Sequence, residues 1–308
     1  AIVRAQGDTY YSLVDNQKAG EGDPPVPARI FELEVRVTPS GPAAEPRSAI
    51  RLEGLDGVNF DGEGLALTPQ GTFLVSSEKE PFLREVSKTG KTLRLLPVPP
   101  RFALSEDGPA GIRHNSGFEA LSLSADGRTL WTANETALKQ DAPDEEAALY
   151  GRHPIRLLRY ERRGDSYEPA GELVYVVDPI ERRGSKFKVR GVVDLLPLPE
   201  GGLLSLEREY VEDIGMEVQL FLVDTDGATD VSGVESLAAG GWTPVRKTLL
   251  YDFGPRTDNL EGMTFGPELA DGDRTLVLVS DDNFDEKQAT QVVALRLHSS
   301  HSATRGGS

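Results

Sequence analysis

Four stretches of the chain repeat one pattern: a strand, a tight turn with glycine, a second strand, and an acid at or near each end. The first runs from Glu63 through Pro69-Gln70-Gly71 to Glu78, the second from Glu119 through Ala125-Asp126-Gly127 to Glu135. The third runs from Asp194 through Pro199-Glu200-Gly201 to Glu207, the fourth from Glu261 through Ala270-Asp271-Gly272 to Asp281-Asp282. An antiparallel hairpin with a tight turn brings its outer ends side by side. Each unit therefore presents its acids at the open end, away from the turn.

The rest of the chain reads as further short strands. Phe31 to Val37 alternates apolar and polar residues over its whole length, the period-two signature of a half-buried strand. Thr72–Val75, Thr92–Leu96, Arg128–Thr132, Ile155–Tyr160, Glu172–Val177, Val218–Val223, Thr275–Val279 and Gln291–Leu297 read likewise, with Gly, Asp and Pro turns between them. No window of helical length shows a 3.6-residue period. A unit of four antiparallel strands recurring every roughly 55 to 75 residues is a propeller blade enlarged by inserted loops. The expectation is an all-β chain, a single β-propeller domain over residues 1–298 with about six four-stranded blades, residues 1–55 completing the ring. Residues 299–308 read as a polar tail. Three long connections stand out, Ala137–His153, Asp178–Arg190 and Asp226–Trp242, and long ordered loops in a compact domain are often functional.

The chain has 308 residues, with 33 basic against 50 acidic, for a formal charge of -17. That balance argues against nucleic acid as a partner, which calls for a basic footprint, and no apolar run is long enough for membrane insertion. Cysteine is absent, which removes thiolate metal sites and cysteine nucleophiles. The sequence begins at Ala1 without an initiator methionine or a signal-like segment, as expected of a processed export product or a trimmed chain.

If the units stand around an axis, their acids converge, and converging carboxylates without matching bases call for a cation. The first strand of a blade lines the channel, so Glu63, Glu119, Asp194 and Glu261 are expected at its mouth as metal ligands. Glu78, Glu135, Glu207 and Asp281 or Asp282 fall on the same face. Asn115, Asn134, Asn259 and Asn283 offer neutral oxygens beside them. An oxygen-only set suits calcium or magnesium rather than zinc or copper, and a wide, irregular ring favours calcium. Glu135, Glu207 or Asp282 would orient a water. His114 is a candidate general base or substrate contact, with Arg208, Asn115 and Asn259 as substrate-binding residues. The chain lacks a G-x-S-x-G elbow, a Walker A loop and an H-E-x-x-H pair, so metal-activated water is the chemistry these residues support.

The segments Phe60-Asp61-Gly62-Glu63-Gly64-Leu65-Ala66, Asn115-Ser116-Gly117-Phe118-Glu119-Ala120-Leu121-Ser122 and Asn259-Leu260-Glu261-Gly262-Met263-Thr264 resemble the phytase-like domain family described as "esterase-like activity of phytase". Asp126-Gly127-Arg128-Thr129-Leu130-Trp131 and Ser280-Asp281-Asp282-Asn283-Phe284 are similar to that family too. The resemblance runs from about residue 30 to residue 297. It implies a β-propeller, bacterial export to the periplasm or outside, and hydrolysis of a small-molecule ester or phosphoester with calcium as the metal. Glu63, Glu119 and Glu261 match the family's repeated Glu-Gly or Glu-Ala positions, whereas Asp194-Leu195 departs from them. A propeller lactonase, and a non-catalytic propeller stiffened by calcium that binds a ligand or protein, are the alternatives the residues leave open.

Overall fold

The computed structural model describes residues 1–13, 27–55, 58, 60–105, 108–182, 184, 186–254, 257–282 and 288–298. Its strands form five antiparallel sheets, each built from consecutive strands. Blade 1 holds β1 (Ile2–Arg4), β2 (Thr9–Leu13), β3 (Arg29–Thr38) and β4 (Gly41–Arg51). Blade 2 holds β5 (Gly62–Leu67), β6 (Phe73–Ser77), β7 (Phe82–Val86) and β8 (Thr92–Leu96). Blade 3 holds β9 (Phe118–Leu123), β10 (Thr129–Asn134), β11 (His153–Arg163) and β12 (Ser166–Val177). Blade 4 holds β13 (Lys188–Pro197), β14 (Leu203–Val211), β15 (Gly215–Asp224) and β16 (Arg246–Asp252). Blade 5 has three described strands, β17 (Asn259–Glu268), β18 (Arg274–Asp281) and β19 (Val292–Leu297).

The first strands touch in the cyclic order β1, β5, β9, β13, β17 and back to β1. That closed circuit is a propeller with its inner strands around the axis. The ring therefore has five blades, not about six. The sequence count ran high because inserted loops stretch the repeat unevenly; β1 to β4 make the one blade that completes the ring, with β4 as its outer strand despite Pro42 and Pro46. An outermost strand tolerates proline because one row of its N–H groups has no ladder partner to lose.

Each pair of neighbouring blades is joined by one apolar layer. Leu74, Leu83 and Leu96 of blade 2 pack on Phe118, Leu130 and Tyr160 of blade 3. Trp131, Ile155 and Leu157 of blade 3 meet Val192, Leu195 and Leu203 of blade 4. Leu196, Leu206 and Leu220 meet Leu260, Met263 and Leu278 of blade 5. Blade 1 packs on blade 2 through Leu13, Ile30, Phe73 and Val75, and on blade 5 through Ile2, Tyr10, Val35 and Val277. The period-two alternation of each strand sends one face to each neighbour.

Two of the long connections are locked to the ring. The Ala137–His153 connection contains a single-turn helix, α1 (Glu145–Tyr150), capped by Asp144, whose Oδ1 accepts from the Ala147 amide at 2.7 Å. Arg156 on β11 is fully buried and donates to Asp141 at 2.6 and 2.9 Å and to Glu172 at 2.8 Å. Arg156 also donates to the Val234 carbonyl at 2.9 Å, which fastens the Asp226–Trp242 connection through the same guanidinium.

Candidate metal centre at the channel mouth

The inner strands of blades 2 to 5 share a defect at their first turn of pleat. In each, one extra residue interrupts the ladder: Glu63 with Gly64 opposite Ser76, Glu119 between the pairs Phe118–Asn134 and Ala120–Ala133, Val193 between Val192–Glu207 and Asp194–Leu206, and Glu261 between Leu260–Ser280 and Gly262–Val279. A β-bulge re-aims the side chain of its extra residue. Here it is the feature that sets Glu63, Glu119 and Glu261 at equivalent places around one end of the channel. One residue beyond each bulge on the second strand stand Glu78, Glu135, Arg208 and Asp281 in blades 2 to 5: the Glu78 amide donates to the Asp61 carbonyl and the Glu135 amide to that of Gly117, while Arg208 pairs with Gly191 and Asp281 with Asn259.

These side chains meet. The carboxylates of Glu78, Glu119 and Glu135, all buried, lie within 4.8 Å of one another, and so do those of Asp61, Glu63 and Glu78. Glu78 belongs to both groups and is the hub. Its side chain is 3% exposed and its Oε1 makes no hydrogen bond. Glycines allow the crowding: a Cβ on Gly117 would stand 2.1 Å from the Glu78 carbonyl, and one on Gly191 2.6 Å from that of Glu135. The edge of the site carries two cations. Lys79 pairs with Asp61. Arg208 donates to Glu135 at 2.6 Å, to the Asn259 Oδ1 at 3.1 Å and to Glu261, which also accepts from the Asn259 amide at 2.8 Å.

Crowding acids in a dry place disfavours their charge. Burial, with Glu135 and Asp61 nearby, pushes the Glu78 carboxyl up to about 8. Burial and the fields of Glu63, Glu78, Glu135 and Glu261 raise Glu119 well above the carboxylate range. Burial raises Glu261 as well, opposed by Arg208. For Arg208 itself burial works against the charge, but Glu261, Glu135 and Glu119 outweigh it and raise its pKa. An all-oxygen donor set, several buried carboxylates and one carboxylate oxygen without a donor could hold a hard divalent cation.

Of the residues expected at the mouth from sequence, Glu63, Glu119, Glu135, Glu261, Asn259 and Arg208 are brought together. His114 and Asn115 are exposed on the wall of an adjoining cleft of about 730 Å³ whose lining includes Glu135 and Arg208. Asn115 is held there with φ 53°, a left-handed conformation that asparagine tolerates.

Three residues stand elsewhere. Asp194 is one residue past the bulge, and its carboxylate accepts from the Leu195 amide at 2.8 Å and the Met263 amide at 2.7 Å, tying blade 4 to blade 5. Burial raises its pKa to about 7 against those two amides. Glu207 points to the other face of β14, where Tyr175 donates at 2.7 Å, Arg190 at 2.7 Å, and Lys247 completes the set. Asp282 lies beyond the end of β18 and accepts from Thr290 at 2.9 Å. Asn283 lies outside the described residues.

The model of the phytase-like family, described as "Esterase-like activity of phytase", matches residues 1–284. The chain belongs to this family. An "Uncharacterized secreted protein" of Arthroderma benhamiae is 28% identical over 220 residues, which cover 60% of this chain and 42% of that one. The phytase-like chain thus spans less than half of that relative's length. Among solved structures, a protein of unknown function from Bacteroides caccae superposes with a TM-score of 0.42 at 11% identity, covering 94% of this chain and 90% of the other. A protein from Lactobacillus plantarum gives 0.38 at 14% identity, covering 96% and 87%.

Sequence reasoning left out of its ligand set the two acids of the phytase-like site that complete its trios, Glu78 and Asp61. The signal for Glu78 was its place at the end of the second strand, matched to Glu135. The signal for Asp61 was its offset of two from Glu63, which puts both on one side of an extended strand.

Proposed function

We propose that this phytase-like propeller is an exported, calcium-dependent hydrolase of ester or phosphoester bonds, working where the channel mouth opens into the cleft beside His114. The observation that supports this reading most is the buried Glu78 carboxylate, shared by two acid trios and lacking a donor on Oε1. Asp61, Glu63, Glu78, Glu119 and Glu135 would hold the ion. When bound, calcium would supply Lewis-acid polarisation of the substrate oxygen and a water of lowered pKa.

The chain's own residues do the rest. Arg208 fixes Glu135 and Glu261 by charged hydrogen bonds, so the ligand set is oriented before substrate arrives. Glu135 faces the cleft as well as the trio, the position from which a carboxylate orients an attacking water. His114 and Asn115 contact the substrate from the cleft wall. The secreted name of the Arthroderma benhamiae relative supports export.

The test is turnover of 4-nitrophenyl esters and 4-nitrophenyl phosphate by chelator-treated protein, before and after calcium is restored. The expected result is activity lost with chelator, regained with calcium, and reduced at least a hundredfold in Glu78→Gln. Calcium that raises the melting temperature without turnover of either substrate class would leave a calcium-stiffened binding propeller and end the hydrolase reading.

A further inference from the structure

Blade 4 breaks the pattern of the mouth. It has Val193 where blades 2, 3 and 5 carry a bulged glutamate, and Arg208 where they carry an acid at the strand end. In place of ligands it supplies an apolar wall to the cleft. Phe187 precedes β13 and is 55% exposed, and its ring lies 6.5 Å from that of Tyr210 at a tilt of 48°. Val189 and Met216 of blade 4, with Leu149 from α1, extend the wall. The wall is fixed in place: the Phe187 carbonyl accepts from the Glu212 amide at 3.0 Å, and Arg182 donates to the Gly215 carbonyl at 3.0 Å and to Glu209.

The cations of the cleft are engaged elsewhere. Arg113 donates to the Ala137 carbonyl at 3.2 Å and to that of Ala142, Lys139 donates to the Ser105 carbonyl, and Arg208 is held by two carboxylates and an amide. A polyphosphorylated ligand needs several cationic donors turned toward it. A planar apolar group needs an exposed aromatic face and apolar neighbours, which this cleft has.

We infer that the Phe187–Tyr210–Met216 wall is a binding subsite for a flat aromatic group of the substrate, and that it selects aryl esters over polyphosphorylated polyols. This rests on the hydrolase reading for turnover, but the subsite can be read out by binding alone. Phe187 and Tyr210 hold the ring, while the ester linkage lies toward Glu135 and Arg208, which line the same cleft.

The experiment uses calcium-loaded protein in two arms. One measures hydrolysis of 2-naphthyl butyrate, ethyl butyrate and inositol hexakisphosphate. The other measures binding of a fluorescent 2-naphthyl ether, which has no ester to cleave. The expected result is a lower KM for the naphthyl ester than for the ethyl ester. Phe187→Ala should raise that KM about five- to tenfold with kcat within twofold, leave ethyl butyrate unchanged, and weaken the ether to the same degree. Phe187→Tyr should restore both. If wild type hydrolyses nothing but Phe187→Ala still loses the ether, the subsite stands and the hydrolase reading fails. Equal ether binding by wild type and Phe187→Ala, or inositol hexakisphosphate turned over in preference to the naphthyl ester, overturns the inference.

Discussion

At the scale of single residues, the centre is a matter of where acids are placed and what they lack. Glu78 has a folded-state pKa of about 8 against an ordinary 4.5, raised by burial and by Glu135 and Asp61. The folded protein keeps a proton that the unfolded chain releases. Without calcium, stability is therefore fully present below about pH 4.5 and is lost as pH rises toward about 8. One such group contributes a slope of about 1.4 kcal/mol per pH unit across that window. Melting temperatures in chelator should fall between about pH 5 and pH 8, and Glu78→Gln should flatten the fall; parallel curves for the two proteins would contradict the assignment. The same scale shows the limit of reading by spacing. Asp194 matches Glu63, Glu119 and Glu261 by position in the repeat, but Val193 is the bulged residue and Asp194 spends its oxygens on two amides. Glu207 misses the centre for a related reason: its neighbour Arg208 has the phase that faces the mouth. A one-residue slip sends a side chain to the opposite face of a strand.

At the scale of elements, hairpins were legible and bulges were not. A glycine turn between two period-two stretches specifies its hairpin locally, so Glu63–Glu78 and Glu119–Glu135 could be paired from sequence. A bulge is an extra residue whose position depends on the partner strand, and no local composition announces it. The glycines that let neighbouring blades approach were equally silent. Gly117 of blade 3 lies against the Glu78 backbone of blade 2, and a methyl group there would stand 2.1 Å from a carbonyl oxygen. Gly117→Ala should cost about 1–3 kcal/mol by overpacking and weaken calcium binding by moving Glu78. Chemical denaturation and a calcium titration of the variant check both parts; an unchanged midpoint and unchanged affinity would mean that blades 2 and 3 can separate there without consequence. The Asp226–Trp242 connection, by contrast, reads as a polar excursion, yet it is secured by the buried Arg156. Its anchors, Asp141 and Glu172, come from distant parts of the chain, so the contact was invisible to local pattern.

At the scale of the whole molecule, the ring closes between the first and last blades by side-chain packing. Ile2, Tyr10 and Val35 of blade 1 meet Val277 and Val279 of blade 5, with the Arg4 guanidinium donating to the Gly266 carbonyl at 2.7 Å. Val277→Ala at this seam should destabilise the protein by about 2 kcal/mol, read from its denaturation midpoint; a neutral result would show that closure rests on other contacts. The propeller class was legible because every blade repeats the same alternation, whereas the blade number was not, since inserted loops stretch the repeat unevenly. Closure is also what gathers acids from blades far apart in sequence into one cluster that could hold a cation. Cation binding there is tested most directly by calorimetric titration of calcium into chelator-treated protein at about pH 8, for wild type and Glu78→Gln. Saturable calcium binding by wild type, lost in a folded Glu78→Gln protein, is the predicted result. No binding to wild type, or equal binding to both proteins, would contradict it.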